Sequence, residues 1–152
     1  MIYTSDVKKA LNLMYNSHIK QYDKSGVPYV FHPFHVAEQM DDEDSTIVAL
    51  LHDIIEDTDV TIEDLVSLGF SVQVINALKC LTHLEDEDYF DYIKRVSNNE
   101  IAKKVKIQDL KHNMDLSRLS SVSEKDLQRV EKYKKSLKFL LDSYEDNIGK
   151  SI

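Results

Sequence analysis

Ala49-Leu50-Leu51-His52-Asp53-Ile54-Ile55-Glu56-Asp57-Thr58 is the stretch that decides how this 152-residue chain is read. Its periodicity predicts one helix from about Thr46 to Asp57. With about 100° of turn per residue and His52 at zero, Glu56 lies near ~40°, Asp53 near ~100° and Asp57 near ~140°. Ile47, Val48, Leu50, Leu51, Ile54 and Ile55 fill the arc from about 160° to about 320°. Four polar side chains therefore share one side of the predicted helix, and apolar residues anchor the other. A solvated acidic face gives the same pattern. It accounts less well for the histidine, which adds little helix propensity.

Outward from this segment the helical period continues. Val7, Leu11, Met14 and His18 mark one face of a first helix with Ser5 as its expected N-cap. Lys24-Ser25-Gly26-Val27-Pro28 breaks the pattern, and a second helix is expected from near Pro33 through Val36 and Met40. Asp41 to Asp44 reads as a solvated acidic connector. Thr61 and Asp64 have capping-box spacing, with Gly69 as the stop. Further helices are expected through Val72, Ile75, Leu78 and Leu81, from Asp86 to Val96, and from Asn99 to about Met114. A last one should run from near Ser123 with Leu127, Val130, Leu137 and Leu141 inward. Val27 to Phe31 is strand-like but too short and isolated to carry a sheet. The expected fold class is all-α, a bundle of six to eight helices.

Composition removes several function classes. Nineteen Lys plus Arg against 27 Asp plus Glu leave a formal charge of −8. That acidity argues against binding to polymeric nucleic acid, which requires cations to displace counterions. The single Cys80 has no partner for a disulfide within the chain. No apolar run reaches the roughly 20 residues of a bilayer span, and MIYTSDVKK lacks a signal-peptide core. The expectation is one cytoplasmic domain with no membrane partner; the sequence does not set its oligomeric state.

Two other segments carry donors of the same chemical types. His32 lies in Tyr29-Val30-Phe31-His32-Pro33, between a turn and a helix start, and Asp109 lies in Lys106-Ile107-Gln108-Asp109-Leu110-Lys111-His112-Asn113. Lys106 and Asn113 fall on the helical face of Asp109. Two imidazoles, His32 and His52, with two carboxylates, Asp53 and Asp109, form a mixed N/O donor set. Such a set suits manganese, iron, cobalt or zinc as a divalent ion.

In this order and with these flanks, His32, His52-Asp53 and Asp109 resemble the H…HD…D pattern of HD-domain metal-dependent phosphohydrolases. The closer likeness is to the hydrolase domain of the bifunctional guanosine tetraphosphate synthetase/hydrolases and their small stand-alone relatives. It is carried by Lys24-Ser25-Gly26-Val27-Pro28-Tyr29, by His32-Pro33 with Val36-Ala37, by residues 49–58, and by Val105 to Asp109 with His112-Asn113-Met114. Residues 24 to 114 are thus covered. The resemblance implies a single HD-type domain over 1–152 that hydrolyses a small phosphorylated nucleotide, most simply as a (p)ppGpp 3′-pyrophosphohydrolase. It implies one divalent metal, Mn2+, on His32, His52, Asp53 and Asp109, and a catalytic pair in Glu56 and Asp57. It also implies substrate contacts from Lys24, Tyr29 and Asn113, with Lys106 as a phosphate contact. The chain length leaves no room for a synthetase domain, so hydrolysis alone is expected. The alternatives are an HD hydrolase of another nucleotide, or a non-catalytic nucleotide-binding module.

Two positions depart from the pattern. Asp23 stands where these hydrolases usually have an arginine that packs on guanine, and Asp115 where another arginine is frequent. Each exchange puts an anion near a polyanionic substrate, and a carboxylate cannot stack as a guanidinium does. Arg118, one turn on, is a candidate replacement. His18, His35, His83 and His112 are read as ordinary packing or locally bonded residues, Cys80 as a small buried hydrophobe, and 85–88 as a solvated loop. Tyr133, on the last helix, is a weaker candidate for contact with a base or ribose.

Overall fold

In a computed structural model that describes residues 1–150, with side chains to Tyr144, the secondary structure is helical, and the one β-type pairing among the described residues is an isolated bridge between Tyr22 and Pro28. The helices are α1 (Ser5–His18), α2 (Phe31–Glu38), α3 (Glu43–Leu51), the single turn α4 (Ile54–Asp57), α5 (Ile62–Ser67), α6 (Val72–Leu81), α7 (Tyr89–Ser97), α8 (Glu100–Asn113) and α9 (Glu124–Lys150). A 3-10 turn at Leu116–Arg118 joins the last two. Eight helices of six residues or more agree with the all-α expectation.

The centre of the bundle is α3, packed by α1, α2, α6 and α8, while α7 and α9 lie against α8. Every residue from Ser45 to Leu51 is buried. A helix apolar all round is a core helix, and each buried leucine or isoleucine contributes roughly 1.5–3 kcal/mol relative to exposure. Truncating Leu50 therefore costs about 2–5 kcal/mol through lost transfer energy and cavity formation.

Local chemistry moves several expected boundaries. Thr4, not Ser5, caps α1, its hydroxyl accepting from the Val7 N–H at 3.2 Å. The 41–44 connector is the start of α3: Asp42 accepts from Ser45 N–H at 2.8 Å, and Glu43 and Asp44 sit at the positive end of the helix dipole. Asp41 and Asp42 both meet Lys104 of α8. The Thr61–Asp64 capping box forms, and Gly69 at φ +87° ends the segment in the left-handed region. On α6 the exposed Val72 is the cap-adjacent residue, and Val74 joins Ile75 in the core. Asp88 caps α7, which begins at Tyr89, three residues after its expected start. On α9 the inward stripe is Val130, Ser136 and Leu140; Leu127 and Leu141 face solvent.

The largest difference falls on the deciding stretch. The helix expected to run unbroken to Asp57 stops at Leu51 and restarts at Ile54. His52 causes a local closure: its ring Nδ1 lies 2.6 Å from the Ala49 carbonyl, a helix-terminal oxygen that would otherwise bond onward. Asp53 follows at φ −102°, ψ 0°, in the bridge region between helix and strand. The pair thus leaves the regular 100° spacing and reaches a common point.

Candidate metal centre and active site

Three elements deliver the donors: the first turn of α2 brings His32, the α3–α4 break brings His52 and Asp53, and the third turn of α8 brings Asp109. One ligand atom each of His32, His52 and Asp109 lie within 4.8 Å of one another, all three residues buried. Asp53 is half-buried, and its Oδ2 lies 3.1 Å from His52 Nε2 and 3.9 Å from His32 Nε2. The four residues separated by up to 77 positions in sequence therefore meet at one place.

The protons in this cluster are informative. His52 Nδ1 faces the Ala49 carbonyl, so it carries the hydrogen and leaves a lone pair on Nε2. That Nε2 is buried with no aligned hydrogen-bond partner. The atoms nearest it are carboxylate oxygens, Asp53 Oδ2 at 3.1 Å and Asp109 Oδ1 at 3.4 Å. Lone pairs facing one another require a positive charge between them, a proton or a metal ion. Burial acts against a charged His52, yet the carboxylates of Asp53 and Asp109 outweigh it and hold its pKa well above the imidazole range. Burial likewise opposes charge on Asp53, but His52 holds that carboxyl at about 2. Without an ion that charge is a proton on Nε2; the mixed N/O donor set, with this buried nitrogen between two carboxylates, fits a divalent cation in the proton's place.

The residues expected to touch substrate divide into two groups. Tyr29 directs its hydroxyl to Asp53 Oδ2, and burial with the Asp53 charge raises its pKa, so it stays a donor. Lys106 Nζ lies 2.9 Å from Asp109 Oδ2, its charge held by that carboxylate against burial. Asn113 Nδ2 donates to Asp109 Oδ1 at 2.9 Å. All three orient the carboxylates of the cluster; of these Tyr29 and Asn113 also line open space, as does Lys24, which pairs with Asp126 instead. A cleft of about 690 Å³ runs past Tyr29, His32, His112 and Asn113. A smaller one of about 190 Å³ is lined by Lys24, Asn113, Arg118, Arg129 and Tyr133. Lys106 is not among the residues of either.

Glu56 and Asp57 stand on α4 at the edge of the cluster, exposed to solvent. Desolvation by their surroundings raises both carboxyls, Asp53 adding to the effect at each. Glu56 Oε1 accepts from the backbone N–H of His83.

Sequence reading passed over four histidine roles. His112 Nδ1 lies 2.7 Å from His32 Nδ1, and burial, Arg118 and His32 lower its pKa to about 4, so it is neutral at pH 7. His35 stacks on His112, ring centroids 4.1 Å apart. His18 is fully buried against Tyr29 and bonds Gln21, whose amide in turn donates to the Asp57 carbonyl at 2.9 Å. His83 holds Glu56. The links of His18 to Tyr29, of His35 and His32 to His112, and of His83 to Glu56 join separate segments, so spacing does not reveal them.

The two departures have local explanations. Asp23 Oδ1 accepts from Ser25 and Val27 N–H at 2.8 and 3.0 Å, and Oδ2 lies 3.7 Å from Arg118 Nη2. Asp115 caps the 3-10 turn through Ser117. Arg118 also donates to the His112 carbonyl at 2.8 Å, which fixes its guanidinium at the junction of the two clefts.

This architecture has a solved counterpart. A structure described as a metazoan ortholog of SpoT that hydrolyses ppGpp and plays a role in starvation responses superposes with a TM-score of 0.73 at 24% identity, covering 94% of this chain and 87% of the other. The chain has the HD-hydrolase fold. Among curated proteins it is similar to the guanosine-3′,5′-bis(diphosphate) 3′-pyrophosphohydrolase of Borreliella burgdorferi, 37% identical over 51% of this chain and 12% of the other. It is also similar to the probable enzyme of that name from Synechocystis sp., 31% identical over 70% of this chain and 16% of the other. The HD-fold chain thus spans less than a fifth of the length of these relatives. No family model matches it. No helix among the described residues is long and apolar enough to cross a membrane.

Proposed function

We propose that this chain is a divalent-metal-dependent phosphohydrolase of a small nucleotide, acting as a 3′-pyrophosphohydrolase on guanosine 3′,5′-bis(diphosphate) or a close analogue. Residues 1–152 would work as one HD-type domain in the cytoplasm. The observation that carries the reading is the buried His52 Nε2 lone pair facing two carboxylates. His32, His52, Asp53 and Asp109 would hold the ion, which we assign as Mn2+. When bound, such an ion polarises a phosphoryl oxygen and lowers the pKa of water beside it.

The remaining chemistry belongs to the protein. Glu56 has one oxygen fixed by His83 N–H and the other free to take a proton from an attacking water. The water oxygen bonds to phosphorus, the bond from that phosphorus to the 3′-oxygen breaks, and pyrophosphate leaves with the new oxygen. Asp57, next to Glu56 on α4, would pass a proton from solvent to the 3′-oxygen as it leaves. Lys24 and Asn113 face the clefts and would receive phosphate and nucleoside groups, while Tyr29 and Lys106 act chiefly by orienting Asp53 and Asp109. Asp23 and Asp115 have their charges engaged by backbone N–H groups, which supports admission of a polyanion despite the missing arginines.

A second reading keeps the chemistry and changes the nucleotide. Two carboxylates at the mouth of a cleft whose relatives carry cations favour a less highly charged substrate. Metal-stripped protein reloaded with manganese, tested for phosphate and pyrophosphate release over a nucleotide panel, separates the two. Release of pyrophosphate from ppGpp is the expected result. Turnover of other nucleotides alone overturns the first reading, and no turnover by metal-loaded protein overturns both.

A further inference from the structure

Arg95, on α7, stands outside the metal cluster and was given no role by the sequence, yet all five of its guanidinium N–H groups are engaged. Nε and Nη2 donate to the two oxygens of Glu87 at 3.0 and 2.9 Å. Nη1 donates to the carbonyls of Lys79 and Cys80 at 3.3 and 2.9 Å, and Nη2 to that of Thr82 at 2.8 Å. The last three are carbonyls of the final turn and C-cap of α6, where intrahelical donors run out; Lys79 O also accepts from the Thr82 N–H at 3.3 Å. A bidentate Arg–carboxylate pair is also the most geometrically restrictive ion pair available to side chains.

The segment so fastened is the loop from Thr82 to Asp88, and it is tied internally as well. Leu84 N–H donates to Glu87 Oε1 at 3.2 Å, and the His83 ring Nε2 meets the Glu87 carbonyl at 2.7 Å. The same ring stacks on Tyr92, centroids 4.8 Å apart. The ring is thus held at its Nε2 edge and on one face, and the backbone N–H of the same residue donates to Glu56 Oε1. From Arg95 to Glu56 the connection is therefore continuous: guanidinium, Glu87, His83 ring, His83 amide, carboxylate.

We propose that Arg95 is a positioning residue whose clamp on the 82–88 loop sets the orientation of Glu56 through the His83 amide. This rests on the catalytic reading of Glu56 above. A loose loop would free both Glu56 oxygens, and a misplacement of about 1 Å at a proton-transfer group can cost about 100-fold in rate. Substrate affinity and metal content need not change, since neither Arg95 nor Glu87 lines the clefts or the cluster.

The test uses the full chain loaded with manganese, as wild type, Glu87→Gln, Arg95→Lys and Glu56→Gln. Amide exchange and the amide proton shift of His83 are read alongside kcat and KM on the best nucleotide of the panel. Glu56→Gln should move the His83 amide resonance directly. Glu87→Gln and Arg95→Lys should speed His83 exchange and lower kcat roughly 10-fold and 100-fold, with KM within about twofold and one metal still bound. The double variant Glu87→Gln/Arg95→Lys should cost little more than the worse single one, as for two ends of one device. Unchanged His83 exchange in both clamp variants overturns the proposal, and so does faster exchange with an unchanged kcat. Should wild type turn over no nucleotide, the proposed function falls, and the His83 response to Glu56→Gln and Glu87→Gln decides the linkage by itself.

Discussion

The metal cluster and the Arg95 clamp are both polar constellations joined by long-range contacts, and they differ in how their donors and acceptors balance. At the clamp every guanidinium N–H meets an oxygen, so that region is complete as it stands. At the cluster a buried imidazole nitrogen with no aligned partner faces two carboxylates, and the arrangement calls for a positive charge between them, a proton or a divalent ion. A satisfied network specifies structure, whereas an unsatisfied one inside a folded core points to a ligand. The contrast separates the parts of this molecule that hold a shape from the part that binds an ion.

Removing a donor from the incomplete region should have the largest effect. Asp53→Ala is expected to lose the metal and at least about 1,000-fold in turnover, as removal of an essential group usually does, with metal content measured by elemental analysis of the dialysed protein. If this variant kept both metal and rate, Asp53 would not be a ligand. Glu56→Ala comes next. It should retain the metal and lose roughly 100- to 1,000-fold in kcat, the range of general acid–base contributions. An emptied site in that variant would break the division between residues that bind the ion and residues that move protons.

The smallest expected effect belongs to the complete region and concerns acid. Arg95 holds the Glu87 carboxyl at about 2, below its ordinary range. A depressed carboxyl stabilises the fold above the unfolded pKa of roughly 4.3, and that stabilisation is lost as pH falls through the folded value. Wild type should therefore melt a few degrees above Glu87→Gln at pH 7, with the gap closing between about pH 4.5 and 2. A gap independent of pH would mean that the pair does not contribute through its charge. Metal binding at pH 7 should be the same in both proteins.

Sequence carried the cluster further than it carried its supports. His32, His52, Asp53 and Asp109 were legible because their types and flanks are restrictive, and the all-α class followed from period and scarce glycine. The break at His52 was not legible, since a helix-terminating imidazole-to-carbonyl bond leaves no mark in hydrophobic periodicity. Lys106 looked like a phosphate contact because it shares a face with Asp109, and that same proximity lets Asp109 take its charge. His83 and Arg95 were passed over because their partners lie on other segments, and a single sequence does not show which loop folds against which carboxylate. In the sequence Asp23 and Asp115 read as anions beside an anionic ligand; in the fold each accepts from backbone N–H groups that no periodicity announces.

Cation binding by the cluster is tested most directly by titrating metal-stripped protein with Mn2+ and counting bound ions, in wild type and Asp53→Ala. One ion per chain in wild type, absent from Asp53→Ala, is the result expected from four converging donors and an unpaired His52 lone pair. No bound ion in the folded wild-type protein, or equal binding by both, would contradict it.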